Sequence, residues 1–405
     1  MIAQNLNLRP HEVSGLTQRT VARITFEPEP HEVRTDYFFA LCRDSAPCLA
    51  DLSGYAAVLV EQGAENVLPK GVAAPVVTGF ASLSGYSQDS IAVVNTPTGE
   101  TRIVYRPESQ HNALFATGRC NSNCLMCSQP PKITDDNRIV EEHLRIIDLI
   151  KSPPESLGIT GGEPTLLGDG LVRILVKLKE RFPRTHIQML TNGRLYAYED
   201  FVRDIASVSH PKFISAIPLY ADVASIHDYV VQARGAFDQT ITGLYNTAQF
   251  GLQTEVRVVL HKQTLPRLLP LMKYIYRNLP FVSHIALMGL ENMGYVKKNW
   301  ECLWVDPLDY MQTLQYAVRY LFYRGMDVSI YNLQLCLLPK ALWPFARQSI
   351  SDFKNIYLEK CGGCLAKKYC SGLFLSSKAR HSRGIHPVRI DPEEVLSYFG
   401  DCHPG

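Results

Sequence analysis

The sequence lacks the features that would assign a protein to a membrane, an export route or a nucleic acid. Its 405 residues contain no apolar run long enough to cross a bilayer and no signal-peptide pattern at the N-terminus. No internal repeat is present, and 41 Lys and Arg against 39 Asp and Glu leave a net charge of only +2. These absences predict a cytoplasmic protein without membrane contact, and they argue against nucleic acid as a partner.

Cysteine, by contrast, is plentiful, with eleven in the chain. Without an export signal, that number indicates metal ligands or free thiols rather than disulfides. Cys120, Cys124 and Cys127 form a C-x3-C-x2-C run. Three thiolates on one loop can hold three irons of a [4Fe–4S] cluster and leave the fourth iron without a protein ligand. A structural zinc ion normally takes four protein ligands, so it fits this loop poorly.

A second motif follows in the run Ile159-Thr160-Gly161-Gly162-Glu163-Pro164. The run predicts a strand that ends at a glycine turn, where the glycines let a ligand approach the backbone and Glu163 offers a carboxylate to an amine. Taken alone, Gly-Gly-Glu-Pro could equally be a surface turn. Together the two motifs resemble those of the radical S-adenosylmethionine (SAM) enzymes. The resemblance implies that the open iron binds SAM and that reductive cleavage of SAM yields a 5′-deoxyadenosyl radical.

Alternation of apolar strand and helix patterns from about residue 111 predicts an α/β fold. Strands are expected at Ser156 to Thr160, His186 to Leu190, Phe213 to Tyr220, Thr254 to Leu260 and His284 to Met288. Helices are expected at 138–151, 170–182, 222–231, 236–250 and 265–278, and a long helix from Asp306 to about Tyr323. Six strand–helix units favour a partial (β/α)6 barrel of the TIM type, because eight units would need more chain. We therefore expect a β-rich accessory region at 1–110, with a hairpin at 96–99, a barrel at 111–325 and a cysteine-rich extension at 326–405.

That extension carries a second group of cysteines in a C-x24-C-x2-C-x5-C arrangement. Its members are Cys336, Cys361, Cys364 and Cys370. Four thiolates can saturate a zinc ion or a second, auxiliary [4Fe–4S] cluster, and spacing alone leaves both open. The resemblance to radical SAM enzymes favours the iron–sulfur cluster. Of the remaining four cysteines, Cys402 is a possible replacement ligand. Cys42, Cys48 and Cys302 are expected to bind no metal.

Several longer strings are similar to the C-type radical SAM maturases of His-Xaa-Ser systems. They are His111-Asn112, Ile285 to Glu291, Tyr331 to Pro339, Leu342 to Arg347, Cys370 to Phe374 and His381 to Pro387. This resemblance, which runs from about 100 to 390, implies post-translational modification of a peptide or small protein with His-Xaa-Ser repeats. It also implies a second radical SAM maturase as partner and an external electron donor. The alternatives are a radical SAM enzyme acting on RNA or a small metabolite, and a non-catalytic iron–sulfur or zinc scaffold.

The resemblance also suggests which residues contact SAM, although it identifies no catalytic residue. Gly161, Gly162 and Glu163 would receive the methionine amine, with the carboxylate pairing with the ammonium. Met126 stands where many superfamily members have an aromatic residue, and its thioether can contact adenine. Asn192 and Ser215 are candidates for hydrogen bonds to the ribose or the carboxylate of SAM. Arg257 is a candidate for a bidentate ion pair with the methionine carboxylate, and Glu291 is a candidate for a contact with the substrate.

Two further groups of polar residues are expected to have structural rather than functional roles. Lys378, Arg380, His381, Arg383, His386 and Arg389 form a basic segment. It is expected to be a solvated charged tail, the alternative being a clamp for an acidic peptide. His227 and Asp228 are expected to make hydrogen bonds at a helix end, with acid–base catalysis as the alternative.

Overall fold

The computed structural model describes residues 12–43, 51–69, 71–83, 85–96, 98–133, 135–348, 356–390 and 392–399. Cys48, Cys402 and Pro97 of the expected hairpin lie outside these ranges. The chain divides into two compact units, each built from several segments. The first comprises Met1–Phe115, Asp136–Gly158 and Arg173–Thr185, and the second Ala116–Asp135, Ile159–Val172 and His186–Gly405. The three-part division at 110 and 325 stays a prediction.

The first unit contains a seven-stranded sheet. Its strands are β1 (Glu12–Ser14), β2 (Thr20–Thr25), β3 (Tyr37–Leu41), β4 (Ala57–Glu61), β5 (Val76–Phe80), β6 (Ile91–Val94) and β7 (Thr101–Tyr105). They lie in the order β1-β5-β4-β3-β2-β6-β7. Strands β2 to β5 pair in parallel, whereas β6 pairs antiparallel with β2 and with β7. The β-rich character and the β6–β7 hairpin agree with expectation.

The parallel core of this sheet follows from its composition. Every residue of β3 is buried, and two apolar clusters pack around the sheet. Continuous apolar strands of this kind are typical of parallel sheets covered on both faces. Helix α1 (Ile139–Leu149) belongs to the same unit. Its Glu142 accepts two hydrogen bonds from Arg19, and its Arg145 pairs with Asp36 at 2.6 Å.

A second seven-stranded sheet carries the alternating strands and helices. Its strands are β8 (Asn112–Phe115), β9 (Ser156–Thr160), β10 (His186–Leu190), β11 (Phe213–Pro218), β12 (Gln253–Leu260), β13 (His284–Gly289) and β14 (Val328–Tyr331). They lie in the order β14-β13-β12-β11-β10-β9-β8, and β10 to β14 pair in parallel. The predicted α/β class with a curled, partial-barrel sheet is confirmed.

The helices between these strands agree with the periodicity of the sequence, with two additions. They are α2 (Asp169–Arg181), α3 (Glu199–Ser207), α4 (Ala224–Val231), α5 (Ala236–Gln249), α6 (Leu268–Asn278), α7 (Trp300–Leu303) and α8 (Met311–Phe322). Helices α3 and α7 were not expected, and α8 begins later than Asp306 because a 3-10 turn, Pro307–Asp309, precedes it. The Asp306 side chain caps that turn by accepting from Leu308 N at 3.1 Å.

The C-terminal segment consists of short 3-10 turns around a small apolar core. Leu337, Leu373 and Ile385 form this core, against which Cys336 and Cys361 pack. Helix α9 (Pro392–Phe399) follows, so the expected cysteine-rich extension is present. Among the described residues, no helix combines the length and the hydropathy that a membrane span requires.

Candidate metal centre and cofactor site

The three-cysteine loop follows β8 and is held by main-chain hydrogen bonds from two other parts of the second unit. Asn123 N donates to Val231 O at 3.0 Å, and Leu125 N donates to Val230 O at 2.9 Å, so the end of α4 supports the loop. On the other side, Tyr295 N donates to Cys127 O at 2.9 Å. These backbone contacts position the cysteines independently of their side chains.

Gly294 is required for one of these contacts, and the sequence analysis missed it. Its φ is +53°, and a Cβ at this position would lie 2.2 Å from Cys127 O. Only glycine allows so close an approach without displacing the loop. No local pattern could have identified Gly294, because it lies more than 160 residues beyond the cysteine that it contacts.

The thiols of the loop lie in a buried environment. Burial, together with the neighbouring charges of Glu163 and Cys127, raises the pKa of Cys120 to about 11. Burial also raises the pKa of Cys124 and of Cys127, and the fields of the other two thiols add to the effect at Cys124. Three thiolates together are therefore unfavourable unless a cation binds them. This is the behaviour expected of a preformed thiolate site for a metal or cluster.

The glycines of the second motif serve the cysteine loop itself. Gly161 has a φ of +144°, and a Cβ there would lie 2.5 Å from Thr117 O; at Gly162 the distance to Arg119 O would be 2.0 Å. Gly162 N donates to Thr117 O at 2.7 Å and Glu163 N donates to Arg119 O at 2.8 Å. The start of the cysteine loop thus fills the space that a Cβ would need at both glycines, and the predicted contact of their backbone with SAM stays a prediction.

Glu163 is surrounded by hydrogen-bond donors of the protein. Its side chain is fully buried, and its carboxylate accepts from Thr165 Oγ1, Thr191 Oγ1 and Asn192 N, each at 2.6 Å, and from Thr165 N at 3.1 Å. Burial raises the pKa of this carboxyl, and the hydrogen bonds oppose that shift. With no exposed surface and four donors, the carboxylate joins the ends of β9 and β10. The predicted pairing of Glu163 with the ammonium of SAM stays a prediction.

Asn192, at the end of β10, lies beside the cluster loop as expected. Its Nδ2 is 3.9 Å from Cys120 Sγ and donates to Asn121 Oδ1 at 2.6 Å. Arg194, which the sequence analysis missed, donates to Asn121 O and to Ser122 Oγ, the latter at 3.1 Å. The turn after β10 therefore holds the first half of the loop by charge-assisted hydrogen bonds.

An apolar wall with one phenol borders the loop. Met126 is 9% exposed and belongs to a cluster with Tyr220 and Val230. Burial raises the pKa of Tyr220, and the charges of Cys124, Cys127 and Cys120 raise it further. Cys124 packs against the same cluster. Met126 thus lies at the site, and Tyr220 is a neighbour that the sequence analysis missed.

His227 and Asp228 have structural roles in α4. Tyr220 N lies 3.3 Å from His227 Nδ1, and burial lowers the pKa of His227 to about 4. The imidazole is therefore neutral and accepts the bond. Asp228 accepts from Gly235 N at 2.6 Å and from Phe237 N at 2.8 Å, so it caps the start of α5. These contacts are of the expected helix-end kind.

Ser215 and Glu291, two further predicted contacts, are bonded to other side chains of the protein. Ser215 has no exposed surface, and its hydroxyl lies 2.9 Å from Tyr196 Oη. In the sheet it is level with Thr254, on the strand face away from the polar residues of β12 described next. Because side chains alternate along a strand, the neighbours of Ser215 face these polar residues and Ser215 itself does not. Glu291 follows β13, with its Oε1 3.5 Å from Asn332 Nδ2.

Arg257 belongs to a polar network on the other face of the sheet, most of which the sequence analysis missed. Its Nε donates to Glu255 Oε1 at 2.5 Å, and its Nη2 donates to Gln188 Oε1 at 3.2 Å. Glu255 Oε2 lies 2.8 Å from His284 Nδ1, and His284 Nε2 lies 3.0 Å from Ser329 Oγ. Burial alone would raise the pKa of Glu255, but Arg257 and His284 lower it to about 2. The Arg257 guanidinium thus already donates hydrogen bonds to two side chains of the protein.

The second cysteine group lines one cavity in the second unit, as its spacing predicts. Cys336, Cys361, Cys364 and Cys370 all border it. Val388 N donates to Cys364 Sγ at 3.3 Å, and burial raises the pKa of Cys370 to about 11. Four thiols around one apolar cavity, with a main-chain N–H directed at a sulfur, fit a fully ligated iron–sulfur cluster.

One further observation concerns whether zinc or an iron–sulfur cluster would occupy the second cysteine site. Within the ranges that the structure covers, no three or more His, Cys, Asp or Glu side chains are arranged to hold a metal ion. One ion draws its ligands to about 2.3 Å from a common centre. A cluster of four irons and four sulfides is larger, so it holds its thiolates further apart. The identity of the group at the second site stays a prediction.

The basic segment after Cys370 is partly engaged by acidic residues. Arg383 N donates to Asp306 Oδ2 at 3.0 Å, and the Arg383 guanidinium makes a bidentate pair with Asp309. Arg380 lies 5.2 Å from the centre of the Trp300 ring. The segment is therefore anchored at these two arginines rather than free along its whole length.

Part of the chain is similar in sequence to known proteins. Residues 114–275 match the family model of the Radical SAM superfamily. The chain is 30% identical over 141 residues to GTP 3′,8-cyclase of Petrotoga mobilis, covering 34% of this chain and 42% of that protein. It is 30% identical over 154 residues to Fe-coproporphyrin III synthase of Methanosarcina barkeri, covering 37% and 36%. The chain thus spans less than half the length of the curated relatives it matches.

Similarity to solved structures is weaker. SuiB of Streptococcus suis bound to S-adenosylmethionine is 17% identical, with a TM-score of 0.40 over 54% of this chain and 46% of that chain. Native anSMEcpe with bound AdoMet and the Cp18Cys peptide is 15% identical, with a TM-score of 0.48 over 71% and 94%. Both TM-scores lie below 0.5, so neither similarity carries an argument about substrate or mechanism.

Fold and site together define a class: an α/β protein whose thiolate loop follows the first strand of a curled parallel sheet. The family-model match over residues 114–275 supports the radical SAM superfamily for this part of the chain. Members of that superfamily use a [4Fe–4S] cluster together with SAM.

Proposed function

We propose that this protein is a radical SAM enzyme that modifies a peptide or small protein of the His-Xaa-Ser type. Its partners would be that peptide, a second radical SAM maturase and an external electron donor. The observation that carries the enzymatic part is the arrangement around the cysteine loop. Three thiols whose pKa values are raised by burial lie on a loop that is fixed by the ends of β9 and β10, with the Asn192 amide 3.9 Å from Cys120 Sγ.

The protein's own residues have distinct tasks in this proposal. Cys120, Cys124 and Cys127 hold the cluster, which when bound supplies the electron that splits the sulfonium of SAM. Arg194 keeps the first half of the loop in place through its bonds to main-chain and hydroxyl oxygens. Met126, 9% exposed, contributes an apolar side to the loop that limits the access of water.

The test of this activity is production of 5′-deoxyadenosine from SAM by anaerobically reconstituted protein, with dithionite as the reductant. We expect the wild type to form it and the triple Cys120→Ala, Cys124→Ala, Cys127→Ala variant to form none above background. Cys42→Ala is the matched control, because Cys42 packs against the core of the first unit. If the triple variant matched the control, the assignment of the loop would be wrong.

Metal analysis of the same samples tests the auxiliary cluster. Two cubes would give about eight irons per chain, and the triple variant would keep about four. A Cys361→Ser, Cys364→Ser variant would lose the other four. About four irons with one zinc in the wild type would instead assign the second site to zinc.

The peptide substrate is supported by the long strings shared with His-Xaa-Ser maturases, which extend beyond the matched residues 114–275. Mass spectrometry of a His-Xaa-Ser precursor, co-expressed with and without this protein and with the second maturase, tests it. We expect a mass change that requires this protein and is absent with the triple cysteine variant. An unchanged precursor under every combination, with GTP consumed by the purified enzyme, would favour a small-molecule substrate instead.

A further inference from the structure

The side chain of Asn192 is held in one orientation by the turn that follows β10. Its Oδ1 accepts from Arg194 N at 3.0 Å. A main-chain N–H can only donate, so the amide oxygen lies on that side and the amide nitrogen on the other. The backbone of this residue is also fixed, since Asn192 N donates to Glu163 Oε2 at 2.6 Å and Thr240 Oγ1 donates to Asn192 O at 3.2 Å. The fold therefore sets the direction of both N–H bonds of the amide.

These two N–H bonds of Asn192 face the cysteine loop. One donates to Asn121 Oδ1 at 2.6 Å. The other is directed at Cys120 Sγ, with a nitrogen–sulfur distance of 3.9 Å, which is a long hydrogen bond to sulfur. In the part of the chain that the structure describes, neither Cys124 Sγ nor Cys127 Sγ accepts a hydrogen bond from a side chain. The amide therefore acts on one of the three thiols and not on the other two.

An N–H group directed at a ligand sulfur changes how easily an iron–sulfur cluster is reduced. Hydrogen bonds to the sulfurs, net charge and solvent exposure set the reduction potential of such clusters. Reduction adds negative charge, so a donor stabilises the reduced form more than the oxidised form. Asn192 and Cys120 are both only partly exposed, and a dipole acts more strongly there than in bulk water. A donor at Cys120 is therefore expected to raise the potential.

We propose that the Asn192 side chain raises the reduction potential of the cluster held by the cysteine loop, through its N–H···S hydrogen bond to Cys120. The inference rests on the proposed function in one respect, which is that the loop binds a cluster. It depends neither on the substrate nor on the predicted contact between Asn192 and SAM. Because Asn192 acts through the Cys120 sulfur, it is a positioning residue. Its effect is to make the cluster accessible to a weaker electron donor.

The experiment is a reductive titration of the anaerobically reconstituted full chain, followed by electron paramagnetic resonance. The triple cysteine variant, titrated alongside, identifies which signal belongs to the loop. Asn192→Leu has a similar shape without polar atoms, so it removes the donor and adds no charge. At the midpoint potential of the wild type, we expect its ratio of reduced to oxidised cluster to be about threefold to tenfold lower. Tenfold corresponds to about 59 mV for a one-electron couple.

Three further variants separate the hydrogen bond from other effects. Thr240→Val removes a hydrogen bond from the same turn but no donor to sulfur, so its midpoint should equal that of the wild type. Asn192→Asp keeps the acceptor for Arg194 N and replaces the N–H group by a carboxylate oxygen, so its midpoint should fall further than that of Asn192→Leu. Asn121→Asp adds the same charge to the loop but leaves the Asn192 donor in place, so its shift should be smaller than that of Asn192→Asp.

The outcomes distinguish this inference from the proposed function. Equal midpoints for the wild type and Asn192→Leu would overturn the inference, and so would a shift in Thr240→Val as large as that in Asn192→Leu. Should Asn192→Leu assemble no cluster, equal shifts in Asn192→Asp and Asn121→Asp would overturn it. A wild type that assembles no cluster on the loop would overturn the proposed function as well. Iron content and thermal melting check that each variant is loaded and folded.

Discussion

Gly162→Ala offers a direct test of how the glycine motif supports the cysteine loop. The substitution adds one methyl group at a position with an ordinary φ, so the effect is steric rather than conformational. The added carbon would lie 2.0 Å from Arg119 O and 2.6 Å from Arg119 C, whereas ordinary contacts begin at 3.4 Å. Because the neighbour is backbone, no side-chain rotation relieves the overlap, and the loop must move by roughly 1 Å or more.

The energetic cost follows from two contributions. Overpacking of this kind costs about 1–3 kcal/mol. The shift also strains the hydrogen bonds from Gly162 N to Thr117 O, at 2.7 Å, and from Glu163 N to Arg119 O, at 2.8 Å. Each is worth about 0.5–1.5 kcal/mol, so the total is about 2–6 kcal/mol if both are lost. Displacement of Cys120, the next residue in the chain, should lower cluster occupancy.

The assay combines thermal melting of the apoprotein with iron content and 5′-deoxyadenosine production after reconstitution. Gly168→Ala is the matched control, since Gly168 has a φ of +53° but no atom within 4 Å of its added carbon. With a ψ of −127°, Gly168 lies in a backbone region that other residues rarely adopt, so the control should lose about 1–3 kcal/mol from backbone strain but should keep its iron. If Gly162→Ala retained iron and activity as well as Gly168→Ala does, close packing of the motif against the loop would not be what holds the cluster.

Three other predictions concern the surroundings of the site. Gly294→Ala, which would bring a carbon 2.2 Å from Cys127 O, should reduce iron content, whereas Gly325→Ala at open space should not. Glu163→Gln sets an amide N–H against a buried main-chain donor and should lower the unfolding free energy by about 1–3 kcal/mol in a denaturant titration. Glu255, whose pKa is lowered to about 2, stabilises the apoprotein above pH 4.5 and progressively less as the pH falls toward 2. The Glu255→Gln variant should therefore show a flatter stability profile in this range; an unchanged slope would refute the assigned pKa.

Local patterns in the sequence predicted the order of strands and helices well. Periodicity placed α1, α2, α5 and the strands β9 to β13 within a few residues, because each element depends on residues close in the chain. Helix α3 was missed, since its short stretch at 199–207 contains only two buried apolar residues, Val202 and Ile205. Cysteine spacing likewise predicted which thiols are brought together, because Cys120 to Cys127 and Cys361 to Cys370 each lie within ten residues, although Cys336 joins the second group from 25 positions earlier.

Tertiary packing decided what those residues do once assembled. Whether Ser215 or its neighbour faces the polar network depends on strand register, which a one-residue shift reverses. Two partners of Glu163, Thr191 and Asn192, and the Cys127 carbonyl beside Gly294 come from segments distant in the chain, so no window of the sequence contains them. The sequence by itself therefore determined the chemistry of the cysteine loop and the succession of elements. Only the folded chain determined which backbone fills the glycine spaces and which donors surround the Glu163 carboxylate, because both depend on contacts between distant residues.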